Sequence, residues 1–203
     1  RTKDINLNQK DKDGNNIIFK LMEYNEKNLI KDKKLYLNTI KNLINAGVDI
    51  NAKDNEGLTA LHIAIGEKCE YTIRLLLEMR ADCFITDKQG RSVIHTCIWK
   101  NTTKYFKLIH NYNKEIVNIP DRYGIRPINY AAFMGKKNLV IEMLDAGALI
   151  NNPNKKDPKI LQFLEKFHSN ILTLTKNVDK GIDVVNLRLL ADNMIKEFNI
   201  IQN

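Results

Sequence analysis

Cysteine is scarce in this chain: three among 203 residues, at Cys69, Cys83 and Cys97, with no CxxC pair. An odd, dispersed set argues against a disulfide framework or a structural zinc site and fits a reducing compartment. No run of 18 or more apolar residues occurs, so no candidate for a membrane-crossing helix is found. No secretory leader opens the chain. It starts Arg1-Thr2-Lys3-Asp4, without methionine, from which we expect a piece of a longer protein. Tryptophan occurs once, at Trp99.

The signatures of common chemistries are missing as well. There is no glycine-rich phosphate loop, no GxSxG, no HExxH and no EF-hand loop. His110 and His168 have no partner at ligand spacing. None of the three cysteines lies in a nucleophile motif, and inert packing or a surface thiol is their expected role. The expectation is a chain that is not an enzyme and that holds no metal and no cofactor.

What is present is the composition of a soluble folded protein, 43 % apolar and 28 % charged. The length suits one elongated domain or two small ones. The net charge of +8 raises nucleic acid or an anionic membrane as partners. Its distribution speaks against both: residues 1–50, 51–100, 101–150 and 151–203 carry +3, 0, +3 and +2. The densest runs, Lys31-Asp32-Lys33-Lys34 and Lys155-Lys156, are interrupted or short. A solvated surface is the better reading, and nucleic acid is not the expected partner.

The informative feature is an internal repeat. Asp54-Asn55-Glu56-Gly57-Leu58-Thr59-Ala60-Leu61-His62-Ile63-Ala64 returns 33 residues later as Asp87-Lys88-Gln89-Gly90-Arg91-Ser92-Val93-Ile94-His95-Thr96-Cys97. A further shift of 34 gives Asp121-Arg122-Tyr123-Gly124-Ile125-Arg126-Pro127-Ile128-Asn129-Tyr130-Ala131, and a weaker copy begins at Asp11. The second half recurs in phase: Ile40, Leu43 and Ile44 match Ile73, Leu76 and Leu77, then Val140, Met143 and Leu144. Asp-x-x-Gly predicts a tight turn. Thr59 and Ser92 predict helix N-caps. Leu61, Ala64 and Ile65 fall on one face of a first helix, and Ile73, Leu76 and Leu77 form the buried stripe of a second. One such unit cannot cover its own apolar face, so neighbours must stack.

These residues resemble the ankyrin-repeat family, whose period is 33 and whose signature T-P-L-H-x-A reads here Thr59-Ala60-Leu61-His62-Ile63-Ala64. The resemblance covers about residues 11–151. It implies an all-α solenoid of about four helix–turn–helix units, at 11–53, 54–86, 87–120 and 121–151, within a repeat region 1–151. It also implies that His62 and His95 bond turn backbone and do not form a metal pair.

Departures from the pattern are specific. The first unit spans 43 residues from Asp11 to Asp54, about ten in excess, which predicts a longer loop or a lengthened helix around Tyr24–Lys34. Arg126 stands at the cap position and Asn129 at the histidine position. Arg80 and Asn113 stand where glycine usually ends the second helix, and asparagine tolerates a left-handed backbone. One extra residue falls near Glu115–Pro120. Beyond Asn151 the repeat fades. Ile160, Leu164, Phe167, Ile171, Leu174 and Val178 predict one helix, Asp179-Lys180-Gly181 a break, and Val184 to Phe198 a second helix. Residues 152–203 are therefore expected to form a C-terminal helical hairpin that caps the stack. A dimerisation or partner surface is the alternative, with a monomer otherwise expected.

The resemblance implies that a partner protein binds the concave side, made of turn tips and the outward residues of each first helix. The second unit offers Asn55, Glu56, Leu58, Gly66 and Glu67 there; the third offers Lys88, Gln89, Arg91, Trp99 and Lys100. The fourth offers Arg122, Tyr123, Ile125, Phe133 and Met134. Tryptophan, tyrosine and arginine are enriched at interface hot spots. Arg91, Trp99, Lys100, Arg122, Tyr123, Ile125, Phe133 and Met134 are thus the candidate contact residues, an aromatic anchor with a basic rim for a segment carrying apolar and acidic residues. Mutual packing of Trp99 and Phe133 is the competing reading. A protein-interaction module is the expected function, with a secreted bacterial or viral effector acting on a host protein as one setting. The alternative is a substrate-selecting domain of a larger enzyme or regulator. The expected location is an intracellular reducing compartment, cytoplasm or nucleus, or the host cytosol for an effector.

Overall fold

The computed structural model describes residues 6–26 and 31–149. The chain divides into two compact units, Arg1–Ile116 and Val117–Asn203. Among the described residues there are eight α-helices, two short 3-10 helices and no strand. The all-α expectation is met. The boundary expected at 151 and the predicted C-terminal hairpin lie outside the described residues.

The first unit holds three helix pairs: α1 (Ile17–Glu26) with α2 (Lys33–Asn45), α3 (Ala60–Gly66) with α4 (Glu70–Glu78), and α5 (Val93–Trp99) with α6 (Phe106–Tyr112). Each first helix packs on the next one along the chain, α1 on α3 and α3 on α5, and α2 packs on α4. The predicted stripes supply the core. Leu61, Ala64, Ile65, Ile73, Leu76 and Leu77 are all at most 2 % exposed. Burying one such aliphatic side chain contributes roughly 1.5–3 kcal/mol. One polar contact joins two pairs inside this core: Tyr36 Oη lies 3.1 Å from Thr72 Oγ1.

The turns are built alike. Asp54 Oδ1 accepts from the amides of Glu56 and Leu58, each at 2.8 Å. Asp87 does the same for Gln89 and Arg91, both at 2.9 Å. Asp11 repeats it with Asp13 and Asn15. A carboxylate at this position satisfies amides that a tight turn leaves without backbone partners. Neighbouring turns are also joined directly, Asn55 N to Asp13 O and Lys88 N to Glu56 O, both at 3.0 Å. Side-chain amides add a second tie. Asn8 donates to the Gly47 carbonyl and accepts from the Asp49 amide, and Asn51 accepts from the Asp82 amide.

The surplus of the first repeat is partly helical. α1 has ten residues where α3 has seven, and α2 has thirteen where α4 has nine. Arg80 takes the left-handed backbone expected at its position, with φ of 62°. Asn113 does not: its φ is −150° and ψ 110°, an extended residue. The chain leads from there into the 3-10 helix Lys114–Asn118, so α6 ends by straightening and needs no left-handed turn.

The second unit holds α7 (Pro127–Phe133) and α8 (Lys137–Asp145), which pack on each other. Asp121 repeats the turn motif with the amides of Tyr123 and Ile125. Pro127 at the first helical position needs no amide partner, which suits a helix whose cap residue, Arg126, makes no side-chain cap bond. The amide tie is here too: Asn118 donates to the Gly147 carbonyl and accepts from the Leu149 amide.

Candidate interaction surface

His62 begins the surface from below. It is 1 % exposed, and the Thr59 amide donates to its Nδ1 at 3.3 Å in a capping box. Nδ1 is thereby the acceptor, so Nε2 carries the proton and donates to the Arg91 carbonyl at 3.4 Å. Burial holds this imidazole neutral and lowers its pKa to about 4. The role is structural: a buried ring in one repeat anchors the turn of the next. His95 forms the equivalent capping box with Ser92. His62 thus bonds turn backbone as the resemblance implies, and no group of three or more metal-ligating side chains occurs among the described residues.

Above His62 lies a hollow of about 350 Å³. Its walls include Leu58, Ile63, Gly66, Glu67, Trp99 and Lys100. Gly66 lies on this wall, and the nearest atom to a Cβ there would be Lys100 Cε at an ordinary 3.9 Å. Trp99 ends α5 and is 46 % exposed, whereas Val93, Ile94, His95, Cys97 and Ile98 of that helix are fully buried. Arg91 also lines this hollow, and its guanidinium reaches Asp87 Oδ2 at 2.6 Å. That pair holds the Asp87 carboxyl below its ordinary pKa against the opposing effect of burial. Arg91 is therefore braced, while the Lys100 side chain is exposed.

The second unit carries the other candidates. Arg122 and Tyr123 sit on the turn, with the guanidinium 4.7 Å from the Tyr123 ring centroid and bonded to its hydroxyl. Tyr123 is 43 % exposed. Phe133 closes α7 and Met134 follows it, half-buried. Ile125 must be corrected: it is 5 % exposed and offers no contact surface. Its amide is drawn to Asp121 at 2.9 Å, and an apolar side chain at that place turns inward, where Arg91 in the preceding repeat faces its aspartate. The candidates thus form two sets, Arg91, Trp99 and Lys100 around one hollow, and Arg122 and Tyr123 on one turn.

A second hollow, of about 570 Å³, was not anticipated. It lies where the last turn of α1 overhangs the α3–α4 connection, walled by Phe19, Met22, Glu26, Tyr36, Glu67 and Tyr71 among others. The signal was the excess length of the first repeat, which builds this overhang.

A family model for ankyrin repeats, described as three copies, matches residues 2–87 and 32–117. The chain belongs to the ankyrin-repeat family. Relatives include a probable 26S proteasome regulatory subunit, p28, of Saccharomyces cerevisiae, 28 % identical over 60 % of this chain and 56 % of that protein. The mouse B-cell lymphoma 3 protein homolog is 34 % identical over 50 % of the chain and 22 % of its own length. A putative ankyrin repeat protein of fowlpox virus is 34 % identical over 43 % of the chain and 21 % of its length. The chain spans between 10 % and 56 % of the length of such relatives. Ankyrin repeats are protein–protein interaction modules and are generally non-catalytic. No helix among the described residues is long and apolar enough to cross a membrane.

Proposed function

We propose that this ankyrin module binds a segment of a partner protein in the hollow between α3 and α5, with Trp99 as the anchor. One observation carries the reading: α5 already buries five of its seven residues, yet its terminal tryptophan stands half out of the surface beside a formed hollow. A large aromatic left half-exposed contributes most when a partner desolvates it. Arg91 and Lys100 supply cations on the rim, which suits an acidic residue in the bound segment. Arg122, Tyr123, Phe133 and Met134 are a separate set of proposed contacts within the second unit, and Ile125 drops out. The partner is another protein, met in an intracellular reducing compartment, or in a host cytosol if the parent protein is a viral or bacterial effector.

The test is affinity capture with the intact module against Trp99→Ala and Trp99→Ala/Phe133→Ala variants. Partner binding should fall by more than tenfold for either variant, since truncating a hot-spot tryptophan costs about 2 kcal/mol or more. Unchanged binding by a folded variant would sink the proposal. A second reading is a substrate-selecting domain of a larger enzyme or regulator. The short fraction of its relatives that the chain spans favours it, and the complete reading frame separates the two.

A further inference from the structure

The second hollow has a chemistry of its own. Its floor is apolar, from Phe19 and Met22 of α1 and Ile63 of α3. Its outer wall is the overhanging last turn of α1, pinned where Asn25 Nδ2 donates to Tyr71 Oη at 2.9 Å. Tyr71 is fixed in turn by an edge-on contact with Tyr36, ring centroids 6.0 Å apart, and by Lys33 at 4.4 Å from its ring. Two carboxyls line this hollow, Glu26 of α1 and Glu67 at the end of α3. Ile63 and Glu67 also line the Trp99 hollow, so the two depressions share a wall. Together they form one groove of mixed lining, with Glu26 in the α1 hollow, Glu67 on the shared wall and Arg91 and Lys100 in the Trp99 hollow, in a chain whose net charge is +8.

We infer that the acidic part of this groove receives a lysine or arginine of the partner segment. Its aliphatic stem lies along Phe19, Met22 and Ile63, and its cation sits between Glu26 and Glu67. This inference rests on the Trp99 reading above and gives the bound segment a charge order: a cation, then an apolar residue over Trp99, then an anion toward Arg91 and Lys100. A long basic side chain fits because its stem is apolar and its head is charged. Two neighbouring carboxyls are a poor arrangement in the free protein. Glu67 is pushed above the ordinary carboxyl range by burial first and by the neighbouring Glu26 charge second, with Lys100 pulling more weakly the other way. A guest cation reverses that penalty, and a planar guanidinium can bond to both groups at once. A metal ion is a poorer occupant, since no group of three acidic, histidine or cysteine ligands occurs among the described residues.

The experiment is selection of phage-displayed random dodecapeptides on the full chain, on Glu26→Gln/Glu67→Gln and on Trp99→Ala. The wild type should enrich peptides that pair Lys or Arg with a nearby apolar residue. The glutamine variant should lose the basic preference and keep the apolar one, with a melting temperature no lower than wild type. Titration calorimetry then closes a cycle on one selected peptide. Removing its basic residue, or the two carboxylates, should each weaken binding about tenfold, and removing both should do no further harm. Failure to enrich any peptide, an unchanged basic preference in the glutamine variant, or additive losses would overturn the inference. So would a self-association that the glutamine variant abolishes, because a second copy would then fill the groove. If Trp99→Ala leaves selection untouched while the glutamine variant changes it, the Trp99 reading and the charge order fail, and only the basic preference of the two carboxyls stands.

Discussion

Acid should weaken this fold through one buried imidazole. His62 is 1 % exposed, and both ring nitrogens are committed, Nδ1 to the Thr59 amide and Nε2 to the Arg91 carbonyl. A proton added at Nδ1 would face the Thr59 N–H, and the capping box would break. Burial accordingly lowers the pKa from 6.5 to about 4, against the smaller opposing pull of the Arg91 carbonyl and Asp87. The sign follows from which state takes the proton first. The unfolded chain does so near pH 6.5 and the folded chain only near pH 4. The stabilisation is complete above pH 6.5 and is lost as pH falls toward 4. Between pH 7 and pH 5 the loss from this one residue is about 2 kcal/mol. The fourth repeat suggests the control, since it places Asn129 at the same position, buried and unable to titrate. Replacing His62→Asn should cost about 1–2 kcal/mol at pH 7 through the weakened cap and turn bond. It should also reduce the loss between pH 7 and pH 5 by about 2 kcal/mol relative to wild type. Urea unfolding followed by circular dichroism on both proteins at both pH values measures this. Parallel losses in the two proteins would refute the assignment.

Other consequences are equally open to measurement. Gly57 has φ of +81° and a Cβ there would lie 2.9 Å from Lys88 N, so Gly57→Ala should lose about 3 kcal/mol or more by urea melt. At Gly124, with φ of +78° and no described atom within 4 Å of a Cβ, alanine should cost only about 1–2 kcal/mol. Tyr36→Phe and Thr72→Val should each destabilise by about 1–2 kcal/mol and together by less than the sum, because they share one buried bond. Burial raises the Cys83 thiol to about 11 and the Cys97 thiol to about 12. A thiol reagent at pH 8 should therefore modify Cys69 alone in the native protein and all three cysteines in urea; rapid native labelling of Cys97 would contradict the packing of α5.

The repeat was legible because its determinants are local. Asp, Gly, the cap and the apolar stripe lie within a few residues of one another, and the structure uses them as the pattern predicts. The exposure of Trp99 was legible for the same reason, since the repeat frame shows which positions of α5 the core already fills. Ile125 was misplaced because the frame names a turn position but not which way its side chain goes; Arg91 faces solvent and aspartate there, Ile125 the interior. Asn113 was misjudged because its conformation depends on the 3-10 helix after it, not on its own tolerance. The acidic wall was invisible because Glu26 and Glu67 are 41 positions apart and line one hollow only through the overhang of α1. The asparagine ties were missed because Phe84 interrupts their spacing.

The turn-to-turn bonds have an evolutionary consequence. Asn55 reaches back to Asp13 and Lys88 to Glu56 through backbone atoms, and at Asn55 a side-chain bond to the Lys12 carbonyl is added. Backbone bonds of this kind make no demand on the side chains that carry them, so the outward residues of each turn remain open to substitution. A new partner can be acquired by rewriting turn tips and helix ends, and a whole unit can be duplicated or lost, while the joints that hold the stack stay the same.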